Sequence, residues 1–214
     1  MGQGADWVWM MDDDACPTPT ALEELSAIAL ESTNVYGSLA VCGTETSWPV
    51  TMLELGQVVH QADEVPRSGR VEFIPFLGFL IHRALIEKIG FPDSEYFIAA
   101  DDVEYCLRAR RAGAAIVIAG QSRIEHPRVR QKVIRLLGVR VVYLSLPAWK
   151  RYYDTRNRLL IARRYYGLRL LTQTVPGSIL RLLIALSIEP NKWGQLRAFF
   201  AGIVDGLAGI KSKR

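Results

Sequence analysis

Three consecutive aspartates, Asp12, Asp13 and Asp14, are the residues whose type and spacing point most directly to chemistry. Adjacent carboxylates repel one another, so folding alone gives little reason to place three together. A divalent cation gives a reason, because Mg²⁺ and Mn²⁺ prefer carboxylate oxygens and often bridge them to substrate phosphates. Asp12 and Asp14 lie two residues apart, so on extended chain their side chains point to the same side. The alternative is a solvated acidic turn before a helix, with Asp14 or Thr18 as the helix cap.

The apolar run that leads into these aspartates predicts the element that positions them. Trp7–Met11 is short and continuous, which is typical of a strand buried on both faces of a parallel sheet. In open α/β sheets, ligands bind beyond the carboxyl ends of the strands. The sequence therefore places the aspartates at the ligand-binding edge of a sheet.

A second acidic pair, Asp101 and Asp102, opens a predicted helix that ends at Gly113. Carboxylates at the start of a helix cap it and complement its dipole, and this explanation stays open. Capping needs only one carboxylate, however, and Glu104 adds a third in the same turn. A carboxylate held at a helix start beside a pocket also serves as a general base.

His126 lies a few residues beyond another predicted element, the buried strand Ala114–Ala119. This is the same kind of sheet edge at which Asp14 follows its own strand. A single histidine is most often a surface or capping residue, whereas an imidazole at such an edge is also a common metal ligand. The residues alone leave both interpretations open.

The composition bounds the class of protein. The chain has 214 residues, half of them hydrophobic, which is enough for one domain or for a domain with an appendage. Its three cysteines form no CxxC pair, so neither a disulfide framework nor a structural zinc site is predicted, and a reducing cytoplasmic setting is favoured. No signal peptide is predicted, and no uncharged apolar run approaches the roughly 20 residues of a transmembrane helix.

The net charge of +4 conceals an uneven distribution. Residues 1–104 contain 18 of the 22 acidic residues and 4 of the 26 basic ones, whereas residues 105–214 contain the other 4 acidic and 22 basic residues. The first part is therefore −14 and the second +18. The acidic part suits a metal site, and the basic part suits an anionic partner such as a phosphorylated substrate, an anionic membrane surface or nucleic acid.

Beyond Pro127 the chain predicts basic, mostly helical structure. After a basic segment over 128–140, three helices are predicted, over 149–166, 176–187 and 192–210, followed by the basic tail Lys211–Arg214. Arginine next to aromatic residues suits either base stacking or a membrane interface. The long apolar faces of these helices favour the membrane interface, so no nucleic-acid partner is predicted.

The remaining elements are predicted from periodicity and from proline and glycine. They are a helix over 21–31 capped by Thr18 or Thr20, a strand over 35–41, a hairpin over 53–60 before a loop at 61–69, a strand over 71–81 that bends at Pro75 and Gly78, and a helix over 83–89 that ends at Gly90.

Taken in the order in which they occur along the chain, the motifs resemble those of family 2 glycosyltransferases of the inverting, nucleotide-sugar-dependent kind. The acidic triplet after an apolar strand resembles the family's metal-binding DXD motif. Phe76–Phe79 and Asp101–Arg108 resemble its acceptor-side segment and its catalytic acidic motif, and His126 resembles its late metal-binding histidine. Tyr152–Arg158 resembles an element of the rhamnosyl- and galactofuranosyltransferase branch.

The resemblance implies a role for each matching residue. Asp12, Asp14 and His126 would hold Mn²⁺ or Mg²⁺, with Asp12 and Asp13 at the bound nucleotide sugar. Asp102 would be the general base, supported by Asp101. The implied donor is a UDP or dTDP sugar, and the implied acceptor is lipid-linked or a cell-envelope glycan. The implied location is cytoplasmic, peripheral to the inner face of the cell membrane, with an anionic membrane surface and a second copy of the chain as candidate partners.

The resemblance also implies a fold. It is α/β, a partial GT-A-like, Rossmann-related mixed sheet with helices on both faces, followed by C-terminal amphipathic helices. Family members begin with several βα units that bind the nucleotide, and here the acidic triplet starts at residue 12. Residues 1–127 are therefore expected to form the C-terminal part of a catalytic domain, and residues 128–214 a basic, membrane-peripheral helical region.

Two other functions fit parts of the pattern. A non-catalytic, truncated membrane-peripheral interaction protein would use the basic helices and would not respond to nucleotide sugars. An aspartate-nucleophile phosphatase would use Asp12 and Asp14, but that chemistry usually has Thr or Val two residues after the second aspartate, where this chain has Cys16 followed by Pro17.

Overall fold

The structure is a computed structural model that describes residues 4–127, 131–136 and 139–210. The predicted basic tail, Lys211–Arg214, lies outside the described residues. Residue contacts divide the chain into two compact units. Unit 1 is Met1–Pro92 with Asp102–Val129, and unit 2 is Asp93–Asp101 with Arg130–Arg214.

Unit 1 is built on one mixed sheet. Its strands are β1 (Trp7–Met11), β2 (Cys16–Pro17), β3 (Val35–Cys42), β4 (Glu45–Met52), β5 (Gln57–Gln61), β6 (Gly69–Arg70), β7 (Leu77–His82) and β8 (Ile116–Glu125). Five of them follow the order β1-β7-β3-β4-β5, and β8 pairs in parallel with β3 and antiparallel with β2 and β6. The mixed sheet confirms the predicted fold class.

Helices cover both faces of this sheet. They are α1 (Ala21–Ser26), α2 (Arg83–Ile89) and α3 (Asp101–Arg111), which starts at the boundary between the units. Strand residues alternate between the two cores, as the pleat requires: Tyr36 of β3 packs with Leu25 of α1, whereas Val35 packs in the cluster that contains Tyr105 and Cys106 of α3. The sheet is therefore a buried layer between helices.

The prediction for β1 was wrong in one respect. This strand is antiparallel to β7, from Trp7 opposite His82 to Met11 opposite Leu77, and all five of its residues are partly exposed. Within the described residues β7 is its only strand partner, so β1 lies at the end of the sheet order. A strand with one neighbour cannot be buried like a central strand of a parallel sheet.

Several element boundaries also differ from the predictions. Helix α1 ends at Ser26 rather than near residue 31, and the hairpin is formed by β4 and β5. Strand β7 begins only at Leu77, after the proline, and β8 continues to Glu125 because a bulge accommodates residues 120–122. Strand β3 and helix α2 are as predicted, and Gly90 takes a φ of 79° at the end of α2.

Unit 2 is mainly helical. It contains the hairpin β9 (Gln131–Leu136) and β10 (Val139–Leu144), followed by α4 (Ala148–Tyr165), α5 (Val175–Ile188) and α6 (Lys192–Ala208). The three helices confirm the prediction, whereas the hairpin, which begins in the basic segment 128–140 and ends at Leu144, was not predicted. A π-helical turn over Leu170–Thr174 leads into α5.

Helix α4 does not have the exposed aromatic and basic faces that the sequence suggested. Eleven of its residues, from Arg151 to Ala162, are buried. Helix α6 packs closely against it, because Gly202 and Gly206 have no side chain to hold the backbones apart: a Cβ on Gly202 would lie 2.8 Å from the carbonyl oxygen of Tyr152. Helix α4 is thus the core of unit 2.

One helical stretch in the described part of the chain, Leu170–Ile188, reaches the length and apolar composition of a membrane-spanning helix. It contains Arg181, so it is not the uncharged run that was sought in the sequence. Its length and composition are the only features that match a span.

Candidate active site

The acidic triplet forms a tight turn after β1. The Ala15 amide donates to the carbonyl oxygen of Asp12 at 3.2 Å, and all three aspartates are exposed. Strand β2 follows at once and pairs antiparallel with β8, with Cys16 opposite Glu125. This register brings the residues before β2 beside the residues after β8.

His126 is the first residue after β8 and lies next to Asp14. Its Nε2 is 3.5 Å from Asp14 Oδ1, and its side chain is 12% exposed against 59% for Asp14. The backbone of His126 is fixed on both sides: its amide donates to Val41 O at 3.0 Å, and its carbonyl accepts from the Ser47 hydroxyl at 2.9 Å. Two of the three predicted metal ligands are therefore adjacent.

The other ring nitrogen of His126 has no hydrogen-bond partner among the described residues, although it is buried. A buried imidazole nitrogen without a partner is uncommon and calls for an explanation. This unpartnered nitrogen is Nδ1, whereas Nε2 is the ring nitrogen next to Asp14. A divalent cation shared by Nε2 and the Asp14 carboxylate is a chemistry that this pair of groups can support.

Within the ranges that the structure describes, no three His, Cys, Asp or Glu side chains lie together as a metal-binding group. Asp14 and His126 form a pair, and Asp12 and Asp13 are exposed in the turn beside them. A set of one carboxylate and one imidazole fits a cation that takes its remaining oxygen ligands from a bound diphosphate and water. The residues present therefore fit a substrate-assisted Mg²⁺ or Mn²⁺ site.

The prediction that Thr18 or Thr20 caps α1 was right about the position of Thr20 and wrong about a side-chain cap. The Thr18 hydroxyl donates to the carbonyl oxygen of Arg123 in β8 at 3.1 Å, and so does its amide, at 3.1 Å. Thr20 is the N-cap residue, but its side chain makes no capping bond within the described chain. Thr18 instead fastens the chain after β2 to β8, close to His126.

Asp101 and Asp102 are the first two residues of α3, as predicted, and both are partly exposed. Asp102 Oδ1 accepts from the amide of Val103 at 2.7 Å, so this carboxylate does interact with the helix start. That contact agrees with the capping explanation, and it also fixes one oxygen of Asp102.

Glu104, the third acid of this motif, has a structural role. It is 1% exposed and pairs with Arg108, whose Nη1 also donates to the carbonyl oxygens of Ile89 and Phe91. The Tyr105 hydroxyl donates to Gly90 O, and burial raises the pKa of Tyr105 to about 12. These contacts tie α3 to the end of α2.

Cys106 belongs to the core and not to the site. Its thiol is buried and faces the carbonyl oxygen of Ile74 at 3.6 Å. Burial raises the pKa of Cys106 to about 12, so the thiol stays protonated and unreactive.

Sequence reasoning missed the residues that hold His126 in place. Ser47 and Val41 bond to its backbone, but neither carries a signal in the sequence. Their proximity depends on how β3, β4 and β8 pair, which is decided only in the assembled sheet.

The chain belongs to a family of glycosyltransferases: a family model described as "Glycosyltransferase like family 2" matches residues 2–156. This confirms the resemblance found in the motifs. The match covers the acidic triplet, the start of α3 and His126, and it ends within α4.

Curated relatives belong to the branch suggested by the sequence. The chain is 27% identical to dTDP-rhamnosyl transferase RfbF of Shigella flexneri over 62% of this chain and 44% of the relative. It is 30% identical to galactofuranosyltransferase GlfT1 of Mycobacterium tuberculosis over 74% of this chain and 55% of the relative. The chain thus spans about half the length of the curated relatives it matches.

A solved structure shows the same kind of fold. The crystal structure of GalNAc-T7 with UDP, GalNAc and Mn²⁺ is similar with a TM-score of 0.55 and 11% identity, over 96% of this chain and 41% of that chain. At this identity the likeness concerns the fold alone, which is of the GT-A type.

Proposed function

We propose that this chain carries the diphosphate-binding and proton-accepting parts of an inverting glycosyltransferase. The donor is a UDP or dTDP sugar, and the acceptor is a hydroxyl of a lipid-linked or cell-envelope glycan. The observation that carries the proposal is the pair of Asp14 and His126. Their side chains are 3.5 Å apart, where the turn after β1 lies next to the end of β8. Family membership, and relatives named for dTDP-rhamnose and galactofuranose transfer, support the reaction class.

The proposed reaction is a direct displacement. Asp102 accepts the proton of the acceptor hydroxyl, and the oxygen attacks the anomeric carbon of the donor sugar. The bond between that carbon and the diphosphate oxygen breaks, so the configuration inverts and the nucleoside diphosphate leaves. Asp101 supports Asp102 by adding negative charge that favours proton uptake.

Asp14 and His126, with Asp12 completing the set, hold Mn²⁺ or Mg²⁺ in this proposal, and Asp12 and Asp13 face the bound nucleotide sugar. When bound, the cation neutralises negative charge that develops on the leaving diphosphate. The backbone of His126 bonds to Val41 and Ser47, and these bonds hold the residue beside Asp14.

Titration calorimetry of this chain with UDP and with dTDP, each with and without Mn²⁺, tests the proposal. We expect nucleotide binding that requires Mn²⁺, and we expect Asp14→Asn and His126→Gln to weaken it by about 10- to 100-fold, the range typical of residues that tune metal sites. Asp6→Asn is the matched control, because Asp6 lies at the other end of β1 and pairs with Arg83. An equal loss of nucleotide affinity in Asp6→Asn, or nucleotide binding that does not depend on Mn²⁺, would contradict the assignment of Asp14 and His126 as metal ligands.

The proposal includes a peripheral position at the cytoplasmic face of the membrane. Helix α6 carries an exposed stripe at helical spacing, formed by Trp193, Arg197, Phe200, Val204 and Leu207, which we call the α6 stripe. Trp193 is 78% exposed. An apolar stripe with an aromatic residue and arginine suits the interface of an anionic bilayer.

Vesicle co-sedimentation tests this position. We expect the chain to bind phosphatidylserine vesicles more than phosphatidylcholine vesicles, with less binding at high salt. Trp193→Ala is expected to weaken vesicle binding by about tenfold, since full burial of a large apolar side chain is worth about 1.5–3 kcal/mol. Leu55→Ala is the control, because Leu55 is also exposed, at 56%, but lies in the β4–β5 turn of unit 1. If Trp193→Ala left vesicle binding unchanged, the α6 stripe would be excluded as the membrane-binding surface.

The same two experiments distinguish the transferase from a second candidate function, that of a non-catalytic membrane-peripheral protein. The α6 stripe favours a non-catalytic membrane-peripheral protein as much as an enzyme. Vesicle binding without any nucleotide binding supports the non-catalytic protein, whereas Mn²⁺-dependent nucleotide binding supports the transferase.

A further inference from the structure

The residues immediately before α3 have an unusual backbone. Phe97, Ala99 and Ala100 have φ values of 62°, 69° and 65°, and they are the only non-glycine residues with positive φ in the part of the chain that the structure describes. L-amino acids avoid this region, and a bulky residue such as phenylalanine does so strongly. Three such residues within four positions persist only if neighbouring groups hold them.

Two buried side chains of α4 provide such contacts. Asn157 Nδ2 lies within hydrogen-bond distance of three carbonyl oxygens of this segment, those of Tyr96, Ile98 and Ala99, at 2.9, 3.0 and 2.7 Å. Arg156 Nη2 donates to the carbonyl oxygen of Glu95 at 2.7 Å. Both side chains are completely buried, and every one of these groups belongs to unit 2.

The two side chains also orient each other. Arg156 Nε donates to Asn157 Oδ1 at 2.9 Å, which leaves the amide nitrogen of Asn157 directed at the segment. The Arg156 guanidinium lies 5.5 Å from the ring centre of Tyr152 and 4.9 Å from that of Tyr153, and the Tyr153 ring also contacts Phe97. The arrangement of the donors is therefore set before the segment binds to them.

We propose that Arg156 and Asn157 are positioning residues for catalysis, and we call them the α4 clamp. The clamp holds Glu95–Ala100 in its strained conformation, and the next residue, Asp101, begins α3. The backbone direction at Ala100 therefore sets where the first turn of α3 lies and how Asp102 is presented to an acceptor. This inference rests on the proposed function, in which Asp102 accepts the proton.

The first test uses Asn157→Ala in this chain, with Arg158→Ala as the matched control. Arg158 is on the same helix, but it pairs with Asp154 and makes no bond to the segment among the described contacts. Transfer to an acceptor and hydrogen exchange are measured together. We expect kcat to fall on the order of 10- to 100-fold, the cost of a small misplacement of a catalytic group. Mn²⁺-dependent UDP or dTDP affinity should stay within twofold of the wild type, and the control should keep both.

Hydrogen exchange followed by mass spectrometry supplies a readout that does not depend on activity. Asn157→Ala should cause loss of protection in peptides covering 95–103, with protection of β7 unchanged. Unchanged protection of the segment would overturn the clamp. Lost protection with an unchanged kcat would overturn the positioning role, as would an equal loss of nucleotide affinity.

A second variant acts on the segment itself and covers the case in which Asn157→Ala does not fold. Glycine adopts positive φ without steric cost, so Ala99→Gly with Ala100→Gly should stabilise the same conformation. Added to Asn157→Ala, the two glycines should restore protection of 95–103 and part of kcat. Added to the wild type, they should leave the fold intact, and failure to rescue either property would contradict the proposal. If the wild type has no transferase activity and binds no nucleotide, the proposed function fails and with it the catalytic role, while exchange still decides whether the clamp exists.

Discussion

The acidic triplet of unit 1 and two buried aspartates of unit 2 use their carboxylates in different ways. In unit 1 the aspartates of the acidic triplet are exposed in a turn, and Asp14 has His126 as a neighbour. In unit 2 the carboxylates Asp154 and Asp205 are buried, at 5% and 0% exposure, and bond to groups of α4. The exposed carboxylates lie at a strand end where a ligand can reach them, whereas the buried ones are enclosed in the core of unit 2.

This difference explains why charge alone was a poor guide to unit 2. The excess of arginine there suggested a surface for an anionic partner, yet Arg151 and Arg156 are fully buried. Arg151 bonds to Tyr143, Gln195 and the carbonyl oxygen of Leu144, and α4 carries its own counter-charge in Asp154. A basic sequence can therefore encode a buried polar core as well as a docking surface.

Removing Asp154 should have the largest effect on this comparison. Asp154→Ala leaves Arg151 and its neighbours without their nearest carboxylate, and breaking a buried ionic network costs about 3–5 kcal/mol. Burial, together with nearby Arg158, lowers the pKa of Arg181 to about 10, and the Asp154 carboxylate opposes this shift, so Arg181 also depends on Asp154. Urea unfolding followed by circular dichroism measures the change. Asp63→Ala is the unit 1 control, because Asp63 pairs with Arg123 at 82% exposure and should cost at most about 1 kcal/mol. If the two variants lost the same free energy of unfolding, burial would not explain the difference between Asp154 and Asp63.

A pair of glycines gives the next largest effects, with opposite signs. In Gly206→Ala the new Cβ would lie 2.7 Å from Leu159 Cβ, so α4 and α6 must move apart, at a cost of about 1–3 kcal/mol. In Gly177→Ala the new Cβ meets only the end of Arg181 at 3.5 Å, so the lower chain entropy should stabilise α5 by about 0.5–1 kcal/mol. Thermal melts of both variants check the signs. If both variants lower the melting temperature to the same extent, close packing of α6 on α4 does not explain the effect of Gly206→Ala.

At alkaline pH both units should respond alike. Burial raises the pKa of Tyr105 in unit 1 and of Tyr143 in unit 2 to about 12, from an ordinary value near 10. The unfolded chain releases these protons first, so the free energy of unfolding is highest below pH 10 and falls as the pH rises toward 12. Urea titrations between pH 8 and 11 measure the slope, which Tyr105→Phe and Tyr143→Phe should each reduce.

At neutral pH the same two variants should differ. Tyr105→Phe removes a bond to Gly90 O, worth about 0.5–1.5 kcal/mol, whereas Tyr143→Phe also removes the acceptor of the buried Arg151 guanidinium. The larger loss is therefore expected in unit 2. A larger loss from Tyr105→Phe would reverse the contrast between the apolar core of unit 1 and the polar core of unit 2.

Much of the fold of unit 1 follows from local pattern. The apolar runs predicted β1, β3 and β7. Gly90 and Gly113 predicted the ends of α2 and α3, because glycine supplies the positive φ that ends a helix. Strand direction did not follow, since the same apolar run suits a parallel or an antiparallel neighbour. The continuation of β8 past Gly120 was also missed, because a bulge depends on the partner strand.

The candidate site was predicted in its residues but not in its contacts. Motif spacing indicated Asp14, His126 and Asp102, and the structure places Asp14 beside His126 and Asp102 at the start of α3. The α4 clamp was not predicted, although its residues lie in a motif that the sequence singled out. A usable signal was present in Gly202 and Gly206, four residues apart in a predicted helix, since such spacing indicates close contact with another helix.

The sequence by itself determined the family, the position of the acidic motifs after a strand and at a helix start, and the three C-terminal helices. These depend on residue type and local spacing, which the chain carries in one dimension. Only the tertiary structure decided that His126 lies next to Asp14, that β1 has a single strand neighbour within the described residues, and that Arg156 and Asn157 face the carbonyl groups before α3. Each of these joins residues far apart in the chain, and long-range pairing is fixed by the register of strands and the packing of helices.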